Sequence, residues 1–523
     1  DAATDVPLDA VLSWQSGEFA AVHDVYLGTA FDDVNNATRA NTLDVLVSQG
    51  QAGAEYDPQG ALDYGQTYYW RVDEVNAAPD STIFKGQVWS FTTEPFGYPI
   101  ANITATASAS QPDMGPENTI NGSGLDDSDG HSTVSTDMWM SSGGKPHWIQ
   151  YEFDKAYKLY ELWVWNSNQM VETFLGMGAK TVTVEYSVDG QTWTVLEGTP
   201  EFARGDAAPG YKANTTVAFN GVTAKYVKLT IEANWGGVAP QTGLSEVRFF
   251  YVPLQAFGPD PADGAAGVSL GASLNWRPGR EAESNVVYFG ADENALVKVA
   301  TSADASYTPA SLDLGTTYYW RVDEVGGSGP YEGGVWSFVT QEFSLVDDME
   351  SYDDNTNRIY QTWVDGVTSE SSGSQVGYDV SPFAEKVIVH SGKQSMPLVY
   401  DNTASPYYSE AERTFDSAQN WTLYGADTLC VYFQGAADNS PEGLYVTLKD
   451  NSKSATVAYA GAATTTTTEW QQWTIPLSDF TAAGVKATAV KAIVIGVGNR
   501  AAPAAGGTGT IYIDDIGFGQ LAK

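Results

Sequence analysis

The chain contains one stretch twice, Thr67-Tyr-Tyr-Trp-Arg-Val-Asp-Glu-Val75 and Thr317-Tyr-Tyr-Trp-Arg-Val-Asp-Glu-Val325. Its residues alternate between an apolar and a polar series, which is the period-two pattern of a strand with one buried face. Each copy follows a Leu-Asp-x-Gly sequence and runs on to Val-Trp-Ser-Phe. A long identical stretch at two distant places marks a duplicated unit. We therefore expect the same β module to occur twice.

The bulk composition predicts an all-β chain and excludes nucleic acid as a partner. The 523 residues include 52 Gly and 23 Pro, with 42% hydrophobic residues, which is typical of short strands joined by turns. The 26 basic residues stand against 65 acidic ones, a formal charge of −39. Because polyphosphate binding requires a basic surface, no nucleic-acid partner is expected. The acidity leaves two explanations open, a solvated acidic surface or grouped oxygen ligands for Ca²⁺.

The single cysteine and the start of the chain add further expectations. Cys430 has no partner for an intrachain disulfide, and it lies in an apolar stretch where it is expected to be buried. No apolar run reaches the length of a membrane span, and neither a membrane span nor a signal peptide is expected within this sequence. Aligning the two repeats places Asp1 on Asp263, whose copy has a longer lead-in. We expect the chain to be the C-terminal, accessory part of a longer polypeptide.

The two repeats resemble fibronectin type III sandwiches. Each has an early Trp, at Trp14 and Trp276, and a Leu six residues before a Tyr, at Tyr68 and Tyr318. The resemblance covers residues 1–97 and 254–343, and it implies a core Trp and a tyrosine corner. These segments are interpreted as spacers without a ligand site.

Residues 98–253 resemble the discoidin (coagulation factor type C) module, a jelly-roll sandwich that includes many carbohydrate-binding modules. The resemblance rests on the order of the strand-like stretches, from Trp148–Phe153 and Leu162–Asn166 to Val184–Trp193 and Leu244–Phe249. Two departures are present. The usual Asp-Gly of the early loop is Asn121-Gly122, and this loop carries an acidic insert at Gly124–His131.

Residues 344–523 resemble the galactose-binding-like jelly roll of another group of carbohydrate-binding modules. The segment opens with Val346-Asp-Asp-Met-Glu-Ser-Tyr-Asp-Asp354 and closes with Ile511-Tyr-Ile-Asp-Asp-Ile516. The resemblance implies that the first and last strands meet at a structural calcium. The fold expected for the whole chain is four tandem β-sandwich or jelly-roll domains.

Structural Ca²⁺ is the cofactor that these resemblances imply. In the middle segment the resemblance implies backbone carbonyls with Asn121 and Glu246, and Asp137 stands where it would be a competent ligand. In the last segment the corresponding ligands are Asp348 or Glu350 with Asp514. The alternative is that these residues are ordinary turn acids.

Sugar recognition requires an exposed aromatic ring for the C–H face of a pyranose and polar groups for its hydroxyls. Trp235 is the main candidate because Asn234-Trp-Gly-Gly reads as a turn. Trp163 and Trp165 share one strand face and are interpreted as core and shelf residues that do not bind a ligand. The predicted sugar-binding residues of the middle segment are Trp235, Asn166, Asn168, Arg204, His131 and Trp139.

No motif for catalysis is evident. The four His residues are scattered, and no nucleophile elbow, phosphate loop or dinucleotide fingerprint occurs. The leading interpretation is therefore a non-catalytic glycan-binding protein located outside a bacterial cell or at its surface. A structural surface protein, a fibre or layer subunit that assembles with itself, is the alternative, and a fragment of a glycoside hydrolase is the third.

Overall fold

The structure is a computed structural model that describes residues 1–58, 60, 62–144, 146–327, 329–461 and 465–521. It divides into two compact units, Asp1–Gln255 with Arg277–Ala282, and Ala256–Trp276 with Glu283–Lys523. Strands dominate both units and the helices are short, which confirms the all-β prediction. The strands below are grouped by sequence segment.

Residues 1–97 form a sheet in the order β1-β8-β6-β3-β4, in which β7 also pairs with β6 and a separate ladder joins β2 to β5. The bounds are β1 Ala3–Val6, β2 Leu12–Ser13, β3 Ala20–Gly28, α1 Phe31–Asn36, β4 Leu46–Gln51, β5 Glu55–Tyr56, β6 Thr67–Asn76, β7 Ile83–Phe84 and β8 Trp89–Thr93. The first copy of the repeated stretch is the long strand β6, as its alternation predicts.

Residues 98–253 form a sandwich around one apolar core. The bounds are β9 Tyr98–Pro99, β10 Ile103–Ala107, β11 Trp139–Met140, β12 His147–Asn166, α2 Glu172–Leu175, β13 Ala179–Ser187, β14 Thr194–Val195, β15 Thr215–Ala218, β16 Thr223–Asn234 and β17 Gly243–Tyr251, with 3₁₀ turns at Pro116–Thr119 and Ser135–Asp137. Strand β12 belongs to both layers. Its first half pairs with β10 and β16, and its second half pairs with β15 and β17. The switch occurs at an irregularity between Glu152 and Tyr157, because a bulge lets one strand change sheets.

Residues 254–343 form a three-stranded and a five-stranded sheet, in the orders β18-β20-β23 and β19-β25-β24-β21-β22. The bounds are β18 Phe257–Asp260, β19 Ala265–Val268, β20 Leu274–Arg277, β21 Ser284–Gly290, β22 Val297–Ser302, β23 Ser306–Tyr307, β24 Thr317–Val325 and β25 Val335–Thr340, with a 3₁₀ turn at Glu293–Ala295. The second copy of the repeated stretch is strand β24.

The two repeats share the predicted tyrosine contact but differ at the predicted core Trp. The Tyr68 hydroxyl accepts a hydrogen bond from the Asp63 amide at 3.1 Å, and Tyr318 accepts one from Asp313 at 2.9 Å. Trp276 is buried, whereas Trp14 remains partly exposed. The expectation of a core Trp therefore holds fully only in the second repeat.

Residues 344–523 form two facing sheets, β28-β29-β36-β31-β34 with β26 on β36, and β27-β30-β35-β32-β33. The bounds are β26 Phe343–Asp347, α3 Ile359–Thr362, β27 Trp363–Asp365, α4 Gly366–Ser369, β28 Ser374–Val376, β29 Met396–Asp401, β30 Tyr408–Gln419, β31 Thr428–Gln434, β32 Leu444–Lys449, β33 Ser454–Ala458, β34 Gln471–Pro476, α5 Leu477–Thr481, β35 Val490–Gly498 and β36 Thr508–Gly519, with 3₁₀ turns at Leu423–Gly425 and Ala487–Ala489. The first strand, β26, pairs with the last, β36. The predicted meeting of first and last strands is thus observed.

Candidate functional site

Two of the predicted sugar-binding residues, Asn166 and Asn168, lie fully inside the middle segment. The Asn166 amide donates to the carbonyls of Ala179 at 2.6 Å and Ala203 at 2.7 Å. The Asn168 amide donates to the carbonyl of Ala208 at 2.8 Å. These amides join neighbouring loops to each other and are closed to a ligand. Their assignment to a sugar site is therefore wrong, because leaving a strand does not expose a residue when other loops cover it.

His131 and Trp139 are also buried, so their assignment as sugar contacts is wrong too. The His131 Nδ1 atom lies 2.9 Å from the Ser132 carbonyl. Trp139 belongs to the apolar core, and its Nε1 donates to the Ala109 carbonyl at 3.3 Å. Both side chains stabilise the loop end of the sandwich from within.

Trp235 and Arg204 remain accessible at this end of the sandwich, and both are partly exposed. Trp235 follows β16 directly, as the turn pattern predicts, and its Nε1 donates to the Phe202 carbonyl at 3.0 Å. The Lys180 ammonium lies 4.8 Å from the ring centroid. Arg204 donates to the Glu172 carbonyl. The indole is thus held in place with part of its ring open, although a cation already occupies one face.

Exposed apolar side chains lie on α2 and on the turn that follows Trp235, and the sequence pattern did not indicate them. Phe174 on α2 is 86% exposed and Val238 is 92% exposed. The Gly236 amide donates to the Gly176 carbonyl at 2.7 Å, which joins the two loops. Large apolar groups are costly to leave in water as a patch. The four apolar residues within Met170–Leu175, which follow the polar stretch Asn166-Ser-Asn-Gln169, are the signal that could have identified them.

Glu246 is the residue of the middle segment whose surroundings fit a cation ligand best. Its carboxylate is buried, it accepts a hydrogen bond from the Gly122 amide, and its Oε2 atom has no hydrogen-bond partner. Burial raises the pKa of Glu246 to about 8. A buried carboxylate of this kind requires either a proton or a cation for compensation. Glu246 therefore fits the role of a calcium ligand.

The other predicted ligands of this set lie on the adjoining loop. Asn121 is exposed, and its Oδ1 accepts from the Ser123 amide at 2.8 Å. Asp137 is partly exposed, and its Oδ2 accepts from the Ser132 hydroxyl at 2.6 Å. The Gly122 amide joins this loop to Glu246. The residues present thus fit a Ca²⁺ ion in part, with Glu246 as the buried anchor.

The second predicted metal set, in the last segment, is not assembled. Glu350 accepts from the amides of Lys393 at 2.7 Å and Gln394 at 2.9 Å. Asp514 accepts from the His390 amide at 2.9 Å, and Asp348 accepts from the Glu350 amide at 3.1 Å. Within the described residues, no three His, Cys, Asp or Glu side chains converge on one point. The carboxylates of this set bind backbone amides, and their role as calcium ligands stays a prediction.

These carboxylates hold residues 385–394, here called the strap, against the outer face of one sheet of the last segment. This sheet, called the six-stranded sheet below, contains β26, β28, β29, β31, β34 and β36. Burial raises the pKa of Asp514 to about 6. The His390 ring stacks on Tyr432 of β31, with 3.7 Å between centroids, and its Nδ1 lies 2.6 Å from Asp515 Oδ2. Trp470 lies edge-on to the same imidazole at 5.6 Å. The strap therefore covers one end of this face.

The uncovered part of the same face carries aromatic and amide side chains on neighbouring strands. Tyr512 of β36 lies opposite Pro397 of β29 and Gln434 of β31. In the next row Val399 lies between Gln375 and Thr510. All except Pro397 are partly exposed, whereas the alternate residues of these strands pack into the core.

A polar pair borders Tyr512 on this face. The Tyr378 hydroxyl donates to the Glu385 carboxylate, and it also forms a hydrogen bond with Tyr512. Burial raises the pKa of Tyr512, so its hydroxyl stays protonated at neutral pH. The sequence alone did not identify this set, since strands β28, β29, β31 and β36 are far apart in the chain.

Comparison with known families confirms the two carbohydrate-binding resemblances. Residues 102–246 match the family model described as F5/8 type C domain, and residues 348–520 match the model described as Carbohydrate binding domain 30. The likeness of residues 1–97 and 254–343 to fibronectin type III stays a prediction. No curated protein matches the chain. Among the described residues, no helix has the length and apolar character to cross a membrane.

Several solved structures are similar to part of the chain. The family 32 CBM from Clostridium perfringens NanJ, in complex with galactose, is 16% identical with a TM-score of 0.22, and the match covers 29% of this chain and 98% of the module. A Streptococcus pneumoniae fucose binding module is 15% identical with a TM-score of 0.21, covering 30% of this chain and 96% of the module. The family 89 glycoside hydrolase from Clostridium perfringens, in complex with PUGNAc, is 15% identical with a TM-score of 0.21, over 30% of this chain. The chain spans 15% of the length of that hydrolase.

Proposed function

We propose that this chain is a non-catalytic glycan-binding protein, and that its main site is the outer face of the six-stranded sheet around Tyr512. The observation that carries the proposal is the row of Tyr512 and Gln434 on neighbouring strands, within the segment that matches Carbohydrate binding domain 30. A partly exposed tyrosine ring offers an apolar surface to the C–H face of a pyranose. The amides of Gln434 and Gln375 supply both donors and acceptors for hydroxyl groups.

The carboxylates near this face already accept hydrogen bonds from the protein, which supports a binding site without catalysis. Glu385 accepts from Tyr378 and from the amides of Val387 and Ile388. Asp514 accepts from the amides of His390 and Asp515. A general acid or a nucleophile requires a carboxyl group free to reach the glycosidic bond. These side chains instead stabilise the loop that borders the site.

A second site lies at the loop end of the middle segment. Trp235 and Phe174 supply apolar rings there, and Arg204 supplies a cationic donor. The Arg204 guanidinium is anchored by its hydrogen bond to the Glu172 carbonyl. Binding at such a shallow surface is weak, so two sites on one chain gain affinity through avidity.

Structural Ca²⁺ belongs to the proposal for the middle segment. Glu246 with Asp137, Asn121 and loop carbonyls would hold the ion, which would neutralise the buried carboxylate and tie the loops together. The chain's acidity and its single cysteine suit a protein located outside a bacterial cell or at its surface, as the accessory part of a larger polypeptide.

The test is affinity electrophoresis of the full chain through gels that contain soluble polysaccharides. We expect retention by at least one neutral polysaccharide, and we expect Tyr512→Ala and Gln434→Ala to weaken it. Tyr424→Ala is the matched control, because Tyr424 is an exposed tyrosine of the last segment outside this face. Retention that is equal in Tyr512→Ala and in wild type would move the site elsewhere. No retention by any polysaccharide would favour a structural surface protein.

A further inference from the structure

The sheet formed by the second half of β12 with β15 and β17 carries an aromatic shelf on its outer face. Trp163 of β12 lies opposite Thr216 of β15 and Arg248 of β17. Its side chain is partly exposed and lies outside the apolar core of the segment. Trp163 is therefore not a core residue, and its partial exposure reopens the question of ligand binding, which the sequence-based interpretation excluded.

The indole of Trp163 is held in a fixed position. Its Nε1 donates to Glu161 Oε1 at 2.7 Å. The Phe250 ring packs beside it with 4.6 Å between centroids and 49° between planes. Phe250 lies opposite Glu161 in the next row and is itself buried, so it supports the indole from the side, and Trp163 and Glu161 form the partly exposed shelf. A pre-positioned ring loses little conformational entropy when a ligand binds.

The acidic insert Gly124–His131 packs along one side of this shelf. The Trp165 Nε1 donates to the Asp129 carbonyl at 3.0 Å, so the insert covers Trp165 completely. Arg248 holds the insert through two bonds to the Asp129 carboxylate, at 3.1 and 2.8 Å. Arg248 lies in the same row as Trp163, so the insert reaches this row at the Arg248 side, while Trp163 itself stays partly exposed. The outer face of this sheet is therefore covered by the acidic insert at Trp165 and remains partly open at Trp163.

We propose that this shelf is an additional sugar-binding site, and that it takes a neutral hexopyranose chain lying across the strands. The Trp163 ring receives the C–H face of one sugar unit. The Glu161 carboxylate accepts from a hydroxyl group, and the Thr216 hydroxyl both donates and accepts. The site is distinct from the loop end near Trp235 and from the sheet face near Tyr512.

The local charge favours a neutral ligand over an anionic one. Glu161 lies on the shelf, and Asp127 on the insert is exposed. Arg248, which lies opposite Trp163, is already paired with Asp129, and Lys212 lies near the carboxylates of the insert. The Glu161 carboxylate disfavours an anionic glycan at Trp163, because like charges at short range repel. Uronic or sulfated polymers should therefore be excluded here.

The test uses the full chain with Tyr512→Ala as the parent, so that the site of the proposed function is silenced first. Retention in gels containing neutral polysaccharides is compared for the parent, for Trp163→Ala and for Trp193→Ala. Trp193 is the matched control because it is a partly exposed tryptophan of the same segment, under Lys228. We expect Trp163→Ala to bind about tenfold more weakly than the parent, which corresponds to about 1.4 kcal/mol, and Trp193→Ala to bind like the parent.

A blocking variant separates loss of binding from loss of fold. Thr216 is exposed, so Thr216→Glu places bulk and charge beside the indole without removing packing, and it should weaken retention as Trp163→Ala does. The proposal is overturned if Trp163→Ala and Thr216→Glu are both retained like the parent. It is also overturned if the parent shows no residual retention, or if it is retained by anionic polymers alone. Because these outcomes are read after Tyr512→Ala, they are distinct from a failure of the main site.

Discussion

At the scale of single residues, burial decides which side chains can meet a ligand. Polar residues at strand ends looked accessible, yet Asn166 and Asn168 are enclosed by loops and bind carbonyl groups. Trp139 and Trp235 are both tryptophans near loops, but only Trp139 is part of the core. Residue type therefore indicates what a side chain can do, and its surroundings decide whether it does so.

The two tryptophans should differ sharply in their effect on stability. Trp139→Ala removes a fully buried ring and is expected to lower the free energy of unfolding by about 3–5 kcal/mol. Trp235→Ala removes a partly exposed ring with one hydrogen bond, so a loss of about 1 kcal/mol is expected. Denaturant unfolding followed by fluorescence measures both. Equal losses would show that Trp235 carries as much packing as the core residue.

Glu246 should give the metal-free protein a characteristic pH dependence. Its pKa is raised from 4.5 to about 8, so the folded state keeps a proton that the unfolded state releases. The stabilisation by the neutral acid is complete below pH 4.5 and is lost as pH rises through 8, at up to about 1.36 kcal/mol per pH unit. Glu246→Gln should lack this slope when unfolding is measured with a chelator present.

Calcium should replace the proton on Glu246. Millimolar Ca²⁺ is expected to raise the melting temperature at pH 8 more than at pH 5, because binding at low pH requires release of that proton. Glu246→Gln should abolish most of the increase. An identical melting temperature with chelator and with calcium at both pH values would rule out the site.

At the scale of elements, two strands with the same sequence, β6 and β24, contact different neighbours. In β6 the buried Arg71 donates to the carbonyls of Asn35 and Ala37, at 2.9 Å each, and pairs with Asp73 at 2.7 Å. The Asn35 carbonyl belongs to helix α1, and Ala37 directly follows the last residue of that helix. In β24 the corresponding Arg321 is partly exposed and pairs with Asp323 and with the exposed Glu332. The same arginine is thus an internal clamp in one repeat and a surface ion pair in the other.

This difference predicts unequal effects of the same substitution. Arg71→Met leaves Asp73 buried without its partner and is expected to cost about 3–5 kcal/mol. Arg321→Met loses a partly solvated pair and is expected to cost about 1 kcal/mol or less. Hydrogen exchange of the β6 and β24 amides reads each repeat separately within one chain. Similar loss of protection in both variants would contradict the clamp.

At the scale of the whole molecule, the formal charge of −39 is the dominant property. Charge of one sign makes a folded chain repel itself and repel anionic partners. Salt screens this repulsion, since the Debye length falls from about 30 Å at 0.01 M to about 3 Å at 1 M ionic strength. The overall charge and the carboxylates beside Trp163 both favour neutral polysaccharides.

The charge predicts two simple solution properties. Added NaCl should raise the melting temperature, because self-repulsion in the folded state is screened. Neither heparin nor duplex DNA should retain the chain on a column at low salt. Retention by either polymer would reveal a basic surface that the sequence composition does not indicate.

The sequence by itself determined the all-β class, the strands of the duplicated stretch and the two families that the chain resembles. These properties depend on local alternation and on the order of motifs, which neighbouring residues carry. It also gave Glu246 as a metal-ligand candidate, since that assignment came with the family pattern. Only the tertiary structure decided which residues share a face. Tyr512 lies beside Gln434, and Trp163 beside Arg248, through pairing between strands distant in sequence. Burial of Asn166, Asn168 and His131 was decided in the same way, because the loops that cover them come from other parts of the chain.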